Sequence, residues 1–214
     1  VKVHMLYCLC LFLLCFCTIH SNNKKYFSFL PDVSSRFLNP LNSNINLYDE
    51  YISSSANVYK IDKFLIKAII KVESGFNPTV VSKSNAVGLM QIKSSTAGRD
   101  AYKMKGWQGE PSIQDLKNAS INIDLGTAYL SILQKQLVGI SDPKIKRYAI
   151  IVSYVNGLSA LLHIFSSDFD CAISKINKFT SEEFYQYIQD YHPSFQARRY
   201  LWKVNIAYLS ICSK

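Results

Sequence analysis

An all-α fold is predicted for the stretch from about Ala56 to the C-terminus, on three observations. Apolar residues recur there at three- and four-residue spacing. Short polar breaks separate the runs, and no alternating apolar–polar run is long enough for a useful strand. A chain of 214 residues accommodates one such domain plus an anchor or a short second element. No internal repeat is found.

The first segment, residues 1–20, carries Lys2 and His4 and then the apolar run MLYCLCLFLLCFCTI. That run is short for a membrane span and has the shape of a signal-peptide core. The other reading, a buried helix of the domain, fits less well because no polar face interrupts the run. Cys8, Cys10, Cys15 and Cys17 crowd this hydrophobic segment, which argues against a metal site. Residues 21–55 are rich in Asn and Ser, with Pro31 and Pro40, and show little helical period. They read as an exposed tether or N-terminal arm, in which Phe27, Phe29, Leu30 and Phe37 can pack on the domain. The expected division is therefore 1–20 signal peptide or anchor, 21–55 tether or N-terminal arm and 56–214 domain.

The domain's opening helix starts at Asp62 as N-cap, and Leu65, Ala68, Ile69 and Val72 form its apolar stripe. Glu73 follows on or beside that stripe, and Gly75 and Pro78 end the helix. Apolar neighbours and the negative end of the helix dipole both disfavour a charged carboxylate there. Both raise its pKa, which suits a general acid near neutral pH. A helix-end Glu that simply reaches water is the alternative. Next comes SKSNAVGLMQI, a polar loop holding Ser82, Ser84 and Asn85, a tight turn at Gly88, then Leu89, Met90 and Gln91. Such hydroxyls and amides suit the hydroxyl and N-acetyl groups of a sugar chain, since they both donate and accept.

Ser95 to Lys105 reads as a short helix, and GWQGEPSIQDLKN as a loop whose glycines and Trp107 break any period. Ile121 to Gln136 is a helix with Ile121, Leu125, Ala128, Tyr129 and Ile132 on one face. Pro143 opens the next, which runs to Tyr154, and Ser159–Phe165, Asp170–Asn177, Ser181–Tyr191 and Ala197–Leu209 follow. In Ser153-Tyr154-Val155-Asn156-Gly157 the phenol and amide can reach a cleft, and a phenol is a good partner for a buried acid. The same five residues can be an ordinary helix C-cap. In Ala197-Arg198-Arg199-Tyr200-Leu201-Trp202, Tyr200 and Trp202 fall on different helix faces, one for the core and one for stacking on a sugar. Tyr200 is assigned to the cleft.

The formal charge of +9 is spread out, with Lys60, Lys63, Lys67 and Lys71 expected on the exposed side of the first helix. No basic stripe or motif of a nucleic-acid binder is present. Diffuse positive charge suits an anionic envelope polymer or lipid surface, and is equally a product of Lys- and Asn-rich residue usage. His163 and His192 lie far apart, and Cys171 and Cys212 form no metal-ligand spacing, so no metal site is expected. The two thiols read as isolated core residues, with pairing in an oxidising compartment as the alternative. His163 is placed on a helix surface.

E-S-G-x-N-P, then S-K-S-N-A, then G-L-M-Q resembles the soluble lytic transglycosylase superfamily, whose helical domain is lysozyme-like, of the goose type, with a substrate cleft. From about Val58 to Leu209 the likeness extends through VSKSNAVGLMQIKSSTAGRDAY, GWQGEPS, SYVNGLSALLHIFSSD, AISKIN and HPSFQARRY. These resemble the endo-type, membrane-bound lytic murein transglycosylases. Two departures stand out. Leu158-Ser159-Ala160 replaces a small Gly-Ala-Gly run, and Phe16 precedes Cys17 where a lipoprotein signal has a small residue.

The resemblance implies non-hydrolytic cleavage of the β-1,4 bond between N-acetylmuramic acid and N-acetylglucosamine within glycan strands, leaving 1,6-anhydromuramoyl ends. It implies Glu73 as acid and then base, with Ser82, Ser84, Gln91, Tyr154, Asn156 and Tyr200 lining the subsites. Met90 is assigned to the core. Asp62, Asp100, Glu110, Asp115 and Asp124 read as caps or surface charges, which leaves Glu73 without the second carboxyl an ordinary glycosidase needs. No cofactor is called for. The implied partners are peptidoglycan strands and a membrane, reached through an N-terminal anchor with lipid on Cys17. The implied place is the periplasm or the periplasmic face of the outer membrane, as a monomer. A lysozyme-type hydrolase and a non-catalytic glycan-binding module are the competing readings.

Overall fold

The computed structural model describes residues 47–213. The expected anchor, most of the arm and Cys17 lie outside the described residues. Helix α1, Asp49–Tyr59, comes first. It begins inside the stretch read as an arm: Ile52 is fully buried, and Asp49 pairs with Lys67 at 2.7 Å. Lys67 is thus largely buried rather than on an exposed face. Helix α2, Lys63–Ser74, is capped by Asp62, whose side chain accepts from the Phe64 N–H, and is closed by Gly75 in the left-handed region. Leu65, Ile66, Ala68, Ile69 and Ile70 are its buried face.

After α2 the chain makes a two-stranded antiparallel hairpin, β1 Ala86–Val87 and β2 Ile92–Lys93, too short to show in the sequence pattern. A π-helical turn, Ser94–Gly98, leads into α3, Arg99–Met104. The expected loop then contains a short helix, α4, Ile113–Lys117, started by a capping box between Ser112 and Asp115.

Helix α5, Ala119–Gln136, is the central element. Ile123, Leu125, Ala128, Leu130 and Leu133 are buried around it, whereas Ile121, Tyr129 and Ile132 of the expected face are only half-buried. A helix enclosed on most sides has no single apolar face for a period to reveal. Helices α6, Pro143–Asn156, α7, Leu158–His163, α8, Phe169–Ile176, α9, Ser181–Tyr191, and α10, Phe195–Cys212, complete the described chain. Helix α10 packs along α2 and α6, and α1 packs on α5. Cys171 and Cys212 are free and exposed, not core thiols. His163 is exposed and bonded to Ser159 of its own helix.

Because Ile52 is sealed between α1 and its neighbours, Ile52→Ala is expected to cost about 2–4 kcal/mol. Urea unfolding would check this, and a change under about 0.5 kcal/mol would mean that α1 is not part of the cooperative domain.

Candidate active site

Glu73 lies in the last turn of α2 and is half-buried. Burial pushes its carboxyl up to about 7 from the ordinary 4.5, against the opposing pull of the Tyr200 hydroxyl and the Lys203 ammonium. The Tyr200 hydroxyl donates to Glu73 Oε1 at 2.6 Å. This contact spans the sequence because α10 runs along α2, bringing Tyr200, itself almost fully buried, onto the end of the shorter helix. Burial raises the phenols of both Tyr154 and Tyr200 well above their usual range, with the nearby Glu73 charge adding to each. The three groups therefore lie near one another, with Tyr200 the direct partner of the acid.

Tyr154 is not the direct partner of the acid. Its hydroxyl donates to the Met90 carbonyl at 2.7 Å, and its ring meets Tyr129 at 5.7 Å. It thereby ties the end of α6 to the Gly88–Gln91 turn. Asn156 is the last residue of α6, half-buried, and Gly157 beyond it adopts φ 86°. The SYVNG stretch is a helix end and a lining of the tyrosine cluster at once. Leu158 and Ala160 of the departing run are half-buried at the start of α7.

The serine loop is internally braced. Ser82 Oγ accepts from the Ala86 N–H at 3.0 Å and meets Ser84 Oγ at 3.1 Å, while Asn85 takes φ 61°. Gln91 Nε2 donates to the Gly88 and Val80 carbonyls at 3.0 and 3.2 Å. Met90 is fully buried, as assigned, and lies so close over Gly126 that a Cβ there would come within 2.4 Å of its sulfur.

Two anchors of this turn were not picked out from the sequence. Buried Asn122 on α5 accepts from the Met90 N–H at 2.8 Å and donates to the Val87 and Leu116 carbonyls at 2.9 and 2.7 Å. Ser74, next to the acid, donates to the Leu89 carbonyl at 2.9 Å. Gly88 is required here: its φ is 80°, and a Cβ would fall 2.2 Å from the Leu116 carbonyl oxygen and 2.3 Å from Asn122 Nδ2. The legible signal was a lone Asn inside an apolar helix, which when buried must find partners.

Of the other carboxylates, Asp62 caps α2 and accepts from Tyr208, and Asp115 caps α4. Glu110 pairs with Arg99, and Asp124 with Lys105 and Tyr59. Asp100 is exposed. No carboxylate figures among the groups that shift Glu73. Among the described residues, no three His, Cys, Asp or Glu side chains converge where they could hold a metal ion.

A family model described as the transglycosylase SLT domain matches residues 50–177. The chain belongs to this family. The matched span holds Glu73, Ser82, Ser84, Gln91, Tyr154 and Asn156, while Tyr200 reaches Glu73 from outside it. The chain is 58% identical over 144 residues to the endo-type membrane-bound lytic murein transglycosylase A of Citrobacter koseri, covering 67% of this chain and 71% of the relative. It is 55% identical over 148 residues to the protein of that name from Salmonella paratyphi B, covering 69% and 73%. Among solved structures it resembles the 70 kDa soluble lytic transglycosylase of Escherichia coli, at 26% identity and TM-score 0.58, over 75% of this chain and 23% of that one. An inactive mutant of the lytic transglycosylase Slt from Pseudomonas aeruginosa matches in fold at 24% identity and TM-score 0.57, over 78% and 24%. The chain thus spans about a quarter of those two structures' chains.

Proposed function

We propose that this chain is an endo-acting lytic transglycosylase that cleaves the β-1,4 bond between N-acetylmuramic acid and N-acetylglucosamine without water. The observation that carries this reading is Glu73, a single carboxyl raised to about 7, bonded by Tyr200 and perturbed by no second carboxylate. Protonated Glu73 donates its proton to the glycosidic oxygen as that bond breaks, and the leaving sugar departs with a hydroxyl. The muramoyl N-acetyl oxygen shares the positive charge that develops at C1. Glu73, now a carboxylate, removes the proton from the C6 hydroxyl of the same sugar. Oxygen 6 then closes on C1, giving the 1,6-anhydro ring and restoring the protonated acid. One carboxyl suffices because the substrate supplies the nucleophile, whereas hydrolysis by either usual route employs two.

Ser82, Ser84, Gln91, Asn156 and the two tyrosines would line the sugar subsites. No step in this sequence needs a cofactor. Treating peptidoglycan with the protein and analysing the muropeptides by mass spectrometry tests the reading. Large internal fragments ending in anhydromuramic acid are expected early in the reaction, and disaccharides released from strand ends alone would overturn the endo assignment.

Tyr200→Phe is expected to lower kcat roughly tenfold, because it removes the donor that fixes the carboxyl and stabilises its ionised form. Losing that donor also raises the pKa of Glu73, so the high-pH fall in activity should move further up. A pH–rate profile unchanged from wild type would show that the phenol does not act on Glu73.

The name of the relatives supports a place in the cell envelope. The finer reading is an N-terminal anchor with lipid on Cys17, at the periplasmic face of the outer membrane, on a monomeric enzyme. Incorporation of radiolabelled fatty acid into wild type but not Cys17→Ala is its test, and equal labelling would remove Cys17 from the account.

A further inference from the structure

The loop after α3 carries an exposed tryptophan that the chemistry at Glu73 does not use. Trp107 is 50% exposed, yet it is firmly held. Its backbone N–H donates to the Tyr102 carbonyl at 2.9 Å, the Tyr102 ring meets the indole at 5.1 Å and 89°, and Lys105 Nζ sits over the indole at 4.8 Å. Lys105 is itself fixed by Asp124 at 2.7 Å and by Tyr59 at 2.8 Å. Gly106 and Gly109, at φ 76° and 78°, turn the backbone on either side of the ring. The far end of the loop is fastened where Ser94 Oγ donates to the Pro111 carbonyl. A large apolar ring held this firmly while half exposed is a preformed surface, since little ordering remains to be lost on binding.

The ring borders a cavity of about 380 Å³ lined by Arg99, Lys103, Gly106, Trp107, Gln108 and Gly109. Its composition is specific: an indole for the C–H face of a sugar, an amide for hydroxyls, and two cations for an acid. Arg99 already donates to one carboxylate, that of Glu110, at 3.0 Å. Helix α3 packs on α5, which carries Tyr129, whose ring in turn meets Tyr154 at 5.7 Å.

We propose that Trp107, with Arg99, Lys103 and Gln108, is a second saccharide site that holds a carboxylate-bearing sugar of the same strand away from Glu73. The inference rests on the glycan-cleaving reading and deepens it, since an enzyme acting within strands gains from holding a strand at a distance from the cut. The carboxylate is the lactyl acid of a muramoyl residue or an acid of the peptide it carries.

Kinetics of wild type, Trp107→Ala and Lys103→Gln on long strands and on a muramoyl tetrasaccharide test the proposal. For Trp107→Ala, KM on long strands should rise about fivefold or more, with kcat within about twofold and the tetrasaccharide unaffected. Lys103→Gln should raise KM on long strands at low salt only. If that effect persists on strands stripped of peptide, the lactyl acid is the ligand; if it needs the peptide, the peptide acid is. Equal losses on short and long substrates, or no change on long strands, would overturn the site. Retention on pelleted peptidoglycan is compared for Glu73→Gln with and without Trp107→Ala. Weaker retention of the double variant supports the site even if wild type cleaves nothing, in which case the lyase reading alone falls. Equal retention removes the site whatever the activity.

Discussion

Glu73→Gln is expected to reduce turnover of peptidoglycan by about 10³-fold or more, since it removes the group that both gives and takes the proton. The same change should stabilise the protein, and increasingly so as pH rises. In the unfolded chain the carboxyl ionises near 4.5, whereas in the fold burial holds it protonated to about 7. Below about 4.5 both states carry the proton, and the native and Gln forms should be similarly stable. Between the two values folding takes up a proton, so wild type loses stability until about pH 7 and is level beyond it. The full difference corresponds to roughly 3 kcal/mol, and partial solvent access to the carboxyl reduces it. Urea unfolding at pH 4 and pH 8 gives the answer. A Gln variant no more stable than wild type at pH 8 would mean that the acid is not held neutral. Wild-type activity should fall above about pH 7, as the acid form is lost.

Asn122→Ala carries the largest expected stability loss, about 3–5 kcal/mol. It strands three buried backbone groups, the Met90 N–H and the Val87 and Leu116 carbonyls, none of which water can reach. The turn carrying Met90 and Gln91 would lose its anchor to α5, so activity should fall with stability. A loss below about 1 kcal/mol would show that the turn is held by Ser74, Tyr154 and the hairpin alone.

The raised carboxyl of Glu73 was legible because its cause is local: an apolar stripe, an N-cap and a glycine stop are all contained in Asp62–Gly75. The partner of the acid was half legible. Helix period could separate Tyr200 from Trp202 but could not say that α10 lies on α2, and that packing decides which phenol reaches Glu73. Tyr154, the phenol closer in motif, is turned instead to a backbone carbonyl. Helix α1 was missed because DEYISSSANVY has a weak period; its place is set by Ile52 and by the Asp49–Lys67 pair, both tertiary. Helix α4 left a signal in its Ser112–Asp115 capping box, which the surrounding glycines outweighed. The exposed thiols show the limit of composition: cysteine is often buried, but Cys171 and Cys212 sit on outward faces of α8 and α10.

The most direct measurement is cleavage of peptidoglycan in water enriched in oxygen-18, with mass analysis of every new muramoyl end, for wild type beside Glu73→Gln. If Glu73 directs capture by the sugar's own C6 oxygen, wild type gives anhydro ends carrying no label, and the variant gives none. Labelled reducing ends from wild type would contradict the account, since they would mean that water is the nucleophile.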